Sequence, residues 1–233
     1  MNNMLQWVAL AACLLCLIWR FPSMVKGRNR GLFWIFAMAS LCVGLSIPEI
    51  YLPVDALLGG VNLANVILRL SLFAVFFLLA SRIAAAYKSP VARRMVRGPL
   101  GITILVICSA GIWITYFTSD LQGSSAGLER FTDQASVMLY KSIGLIYPAY
   151  ASICMAVPTW RAAFSQRPKL DRAAAMSMCI GFIMVCMATV TQISPWDPKL
   201  LMRFLSFGSI LFVAAGLAMV WASFLRRPVT PPR

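Results

Sequence analysis

Three polar residues recur along one apolar stretch, "VNLANVILRLSLFAVFFLLASRI", where Asn62, Asn65 and Arg69 stand at i, i+3 and i+7. That spacing places them on one face of a helix. A guanidinium offers five fixed donors and an unchanging charge, and a carboxamide both donates and accepts, so the set suits an anion or a polar solute. Lys141, beside Tyr140, lies in the apolar run that starts at Ala135, and Gln134 and Gln192 lie near the ends of apolar runs. At 1.5 Å per residue, Arg69 is about 12 Å and Lys141 about 9 Å into their runs. A cation in mid-span costs about 2.5–3.5 kcal/mol unless it finds water or a partner. The functional reading is an outward-facing cationic cavity, with Asn62, Asn65, Arg69, Lys141, Tyr140 and Gln192 as ligand-binding residues. The structural reading pairs the same cations with Glu49, Asp55, Asp133 or Asp197, or extends them to the interface. Both readings stand for Arg69 and Lys141. For Arg203, close to the start of the last run, extension to the interface is expected.

Other chemistries lack their residues. The chain has no histidine, the commonest metal ligand and general base. Its seven cysteines all lie inside apolar runs, and Cys13 and Cys16 in "AACLLCLIW" read as small apolar residues despite their CxxC spacing. No metal or cofactor is expected. "LAAC" ending at Cys13 resembles a lipoprotein cleavage box, but no basic residue precedes it, and an uncleaved first span is the better reading. No Asp or Glu falls within an apolar run, which argues against ion-coupled transport. No Gly-x-Ser-x-Gly elbow or other catalytic set is present, so the chain does not read as an enzyme. The last run has no lysine for a retinal Schiff base.

The elements that must hold these residues follow from composition. Hydrophobic residues make up 61% of 233, with mean hydropathy +0.81, well above the roughly 45–50% of soluble domains. Apolar runs near the ~20 residues needed to cross a bilayer predict an all-α bundle of seven transmembrane helices in a single membrane domain, residues 1–233. The expected spans are 4–19, 31–47, 61–82, 99–118, 135–157, 173–193 and 200–225. The runs are continuously apolar, as helices require and barrel strands do not. Most basic residues fall on alternate connections: Arg20 to Arg30, Arg82 to Arg97, Arg161 to Arg172, and the tail from Arg226. Every acid except Asp171 falls on the others. Basic loops stay cytoplasmic, which predicts an outer N-terminus and a cytoplasmic C-terminus. The net charge of +14 is thus an orientation signal and not a nucleic-acid interface. Pro148 is expected to kink the fifth span, and Gly181, Gly208 and Gly216 to permit close helix packing.

"DALLGGVNLANVILRLSLFAVFFLLASRIAAA" with its basic sequel, and the "ISPWDP" turn from Ser194 to Pro198, resemble an actinobacterial family of seven-helix membrane proteins labelled as transporters. The resemblance implies a bacterial cell membrane and a transporter or a sensor with a cytoplasmic regulatory protein as partner. It supplies no catalytic residue. The expected partners are the lipid bilayer, a small anionic or polar ligand and that regulatory protein; a homo-oligomer is compatible but has no dedicated motif.

Overall fold

The computed structural model describes residues 4–27, 30–193 and 199–225. Arg28, the Ser194–Pro198 turn with Asp197, and the tail with Arg226, Arg227 and Arg233 lie outside them. The regular structure of the described chain is all helical: α1 (Met4–Val25), α2 (Arg30–Gly44), α3 (Pro48–Leu57), α4 (Leu63–Ala86), α5 (Pro90–Arg97), α6 (Pro99–Phe117), α7 (Ala135–Ala163), α8 (Lys169–Ile193) and α9 (Lys199–Leu225), with a short 3-10 segment at Ala126–Phe131. Six of these stretches are long and apolar enough to cross a membrane, α5 and α6 counting as one. The protein is therefore built as a multi-pass membrane protein.

The expected second span differs. At 15 residues, α2 reaches about 22 Å, short of the roughly 30 Å hydrocarbon core. A turn then leads into α3, which is bent by 93° from α2. Only if that broken pair is one span does the number of spans reach seven. Pro48 opens α3 at a position where its missing N–H costs no hydrogen bond. The other spans appear near their expected positions, but α1 runs on to Val25 through Pro22, and α7 to Ala163 through Pro148 and Pro158.

The helices close into a ring. α1 packs on α2 and α9, α4 on α2 and α7, and α8 on α7 and α9, with α6 against α4 and α7. Phe36, Leu79, Met155, Met178 and Phe182 fill the main core at no more than 3% exposure. An apolar cavity of about 70 Å³ remains within the ring, lined among others by Cys13, Phe36, Cys42, Leu79, Val185 and Leu217.

Small residues bring α8 and α9 together. A methyl group at Gly216 would lie 2.5 Å from Met178 Cγ and 2.8 Å from the Ala174 carbonyl; one at Gly181 would lie 2.7 Å from Val213. This matches the expected role of both glycines. Charge divides the molecule end to end. At one end, the Arg82 guanidinium packs on Gly31, where a side chain would collide with it, and Arg167 stands 4.9 Å over the Tyr87 ring. Burial pushes the Tyr87 phenol above its ordinary pKa, with Asp171 adding to the effect against Arg167. The basic connections thus meet at this end, while α3 and the 3-10 segment meet at the other.

Gly216→Val should force α8 from α9 and lower stability by about 1–3 kcal/mol, read as a reduced Tm in detergent.

Candidate functional site

The α3–α4 connection must start a long helix out of a turn, and its residues are suited to that. Gly59 and Gly60 take positive φ of 98° and 68°. Asn62 follows at φ 60°, a left-handed conformation that asparagine tolerates better than most residues. Asp55, fully buried, then caps α4 from the preceding helix. It accepts hydrogen bonds from the Asn62 N–H (3.0 Å), the Ala64 N–H (3.1 Å) and the Ser124 hydroxyl (2.6 Å). Its carboxylate thus lies at the positive end of the α4 dipole.

The Asn62 side chain completes this knot. Its Oδ1 accepts from the Tyr51 hydroxyl (3.0 Å) and the Ser125 N–H (2.8 Å), and its Nδ2 donates to the carbonyls of Leu121 and Gly123, each at 2.9 Å. Every donor and acceptor position of the amide is used. The Gly123 N–H donates to the Gly60 carbonyl at 3.1 Å, and the Tyr116 hydroxyl to the Val61 carbonyl at 3.1 Å. These bonds stitch the α6–α7 loop onto the α3–α4 turn. Asn62 therefore stands before the helix, off the stripe the sequence suggested, because the loop needs its amide and its left-handed backbone. Asp55, one of the four carboxylates expected as partners for the cations, is likewise committed to capping. Asp55, Ser124, Ser125 and Tyr51 formed no part of the sequence-based site; an Asp before a Gly-Gly turn and an Asn was the available signal.

Asn65 and Arg69 remain together on α4, facing α7. The Tyr140 hydroxyl donates to Asn65 Oδ1 at 3.0 Å, and both residues are buried. The Arg69 guanidinium carbon lies 5.9 Å from the centre of the Tyr140 ring, at the edge of cation–π range. Its path crosses α7 at Gly144: a methyl group there would stand 2.8 Å from Arg69 Cδ and 2.9 Å from Nε. Nε is buried and makes no hydrogen bond; the same is true of the Tyr147 hydroxyl, whose ring packs on Phe73 of α4 at 5.6 Å. Pro148 has no N–H, so it also leaves the Gly144 carbonyl without its usual helical donor. The α4–α7 seam thus concentrates polar groups that a well-packed apolar interface would not carry.

The other sequence-suggested residues fall elsewhere. Lys141 is partly buried on α7, Arg203 is partly buried on α9, and Gln192 is exposed near the end of α8. Gln134 binds the Asp120 backbone reciprocally, accepting from its N–H at 3.1 Å and donating to its carbonyl at 2.9 Å. No group of three or more His, Cys, Asp or Glu side chains that could hold a metal occurs among the described residues. The cysteines are free thiols.

Comparison with protein-family models, curated proteins and solved structures returns no match.

Substitutions at two positions separate the knot from the seam. Asp55→Ala orphans three donors, and hydrogen bonds to a charged group contribute about 1.5–3 kcal/mol each. It should lower the Tm far more than Asp55→Asn, which keeps one acceptor oxygen. Gly144→Ala should displace the Arg69 side chain at a cost of about 1–3 kcal/mol, measurable by thermal unfolding in detergent.

Proposed function

We propose that this is a bacterial plasma-membrane protein of seven spans, N-terminus outside and C-terminus cytoplasmic. In this reading the α4–α7 seam recognises a small anionic or polar ligand, and the bundle acts as an uncoupled transporter or a ligand sensor. One observation carries the proposal: a permanently charged guanidinium crosses Gly144 inside the bundle with Nε buried and unbonded. A buried donor without a partner is costly, and an intramembrane cation is a functional-site hypothesis by default. Asn65, Arg69 and Tyr140 form the centre of the proposed site, with Lys141 further along α7. Asn62 supports it from outside by fixing the start of α4, and Gln192 is assigned to the rim. The division of charge between the two ends supports the orientation. Membership of the actinobacterial seven-helix family belongs to the same proposal and rests on the α4 region. No catalytic step is proposed.

A second reading has its own observation. The α5 helix presents Arg93, Arg94 and Arg97 on an exposed surface, which suits a non-transporting sensor or regulatory subunit acting through its basic loops on a cytoplasmic partner protein.

Proteoliposome flux of radiolabelled acetate and inorganic phosphate separates the two. Transport predicts flux that Arg69→Ala lowers at least tenfold and Arg69→Lys lowers less, with both variants still inserted. Absence of flux, together with a co-purifying cytoplasmic protein, would retire transport in favour of the second reading.

A further inference from the structure

A groove of about 710 Å³ runs between the α4–α5 turn, α5 and the last turns of α7. Its two ends differ in chemistry. Toward the middle of α7 it is lined by Ile153 and Val157, whose side chains are 60% and 54% exposed. Toward the end of α7 it is lined by Arg161, with Lys88 and Arg167 across from it. Ile153, Val157 and Arg161 are spaced by four residues and so share one face of the helix. Two outward apolar side chains are therefore followed, about 12 Å from the first, by a cation.

The same level of the molecule carries the marks of a membrane–water boundary. Trp160 and Phe164, one residue before and three after Arg161, are 52% and 59% exposed, with their rings 4.7 Å apart. Aromatic side chains gather at headgroup depth. The cationic end is also built and not merely crowded. Arg167 is held over the Tyr87 ring at 4.9 Å. Lys88 sits at φ 50°, its N–H donating to the Ala85 carbonyl at 3.1 Å, and Ser89 caps α5 by accepting from the Ala92 N–H at 3.3 Å. On the far side of α5, Arg93, Arg94 and Arg97 line a second hollow that shares Lys88 with the first and adds to the positive field without an apolar wall along α7.

We propose that the α5–α7 groove seats one anionic phospholipid of the adjacent leaflet, its phosphate on Lys88, Arg161 and Arg167 and an acyl chain along Val157 and Ile153. The order along α7, apolar and then cationic at the aromatic level, is the order of a phospholipid from tail to headgroup. A soluble phosphate would use the cations alone and leave the apolar wall without a role. The site is independent of the α4–α7 seam and of which face of the bilayer is cytoplasmic.

Native mass spectrometry of the delipidated full chain in detergent tests it, titrated with phosphatidylglycerol, phosphatidylcholine or glycerol phosphate. The first phosphatidylglycerol should bind about tenfold or more tightly than phosphatidylcholine. Arg161→Gln with Arg167→Gln should erase that preference, whereas Arg93→Gln with Arg97→Gln, on the other side of α5, should leave most of it. Val157→Ser with Ile153→Ser should weaken phosphatidylglycerol severalfold. All six positions are exposed, and an unchanged Tm for each pair confirms the fold. Equal losses from both arginine pairs would overturn the site in favour of diffuse surface charge. Glycerol phosphate binding as tightly as the lipid, or indifference to the serine pair, would overturn the lipid as occupant.

Discussion

Hydrocarbon supplies no hydrogen bonds, so every polar group carried into it must find its partner within the chain. Asp55 and Asn62 meet that requirement where it is hardest, at the first turn of a long helix. The opening N–H groups of a helix have no intrahelical acceptor. Asp55 covers two backbone donors, and Asn62 ties three groups of the α6–α7 loop and the Tyr51 hydroxyl of α3. With that end of α4 fixed, the helix enters the bundle at a set height and rotation. The position of everything further along it follows, including Asn65 and Arg69.

What the sequence revealed and what it concealed divide along physical lines. Continuous apolar runs and the alternation of charged connections are summed over many residues, so the spans from α4 onward lie close to their expected bounds. The α3 half of the broken α2–α3 pair was hidden because Glu49, Asp55 and two prolines mark its residues as a connection, and hydropathy does not register direction. At the site, the Asn65–Arg69 pairing follows from helical spacing alone. The role of Asn62 did not, since it depends on acceptors at Leu121 and Gly123 that are about sixty residues away in the chain. The Gly144 passage for Arg69 was equally out of reach, because spacing within one helix says nothing of which residue faces it from another.

Glycine performs two distinct tasks in this bundle. Between α8 and α9 it brings backbones together, as lipid-embedded helices require when tail and side chain are equally apolar. At Gly144 and Gly31 it makes room for an arginine from α4, Arg69 and Arg82 respectively. Two guanidiniums on one helix thus lie across neighbouring helices and not along their own surface. Their long stems fill the interface while their heads keep to its polar parts.

The small apolar cavity inside the ring bears on mechanics. Its walls are drawn from α1, α2, α4, α8 and α9, so it lies where five rods meet. An interior gap of this kind lets the folded protein occupy more volume than its atoms fill. Hydrostatic compression works against such excess volume, and this junction is where the bundle has volume to give up.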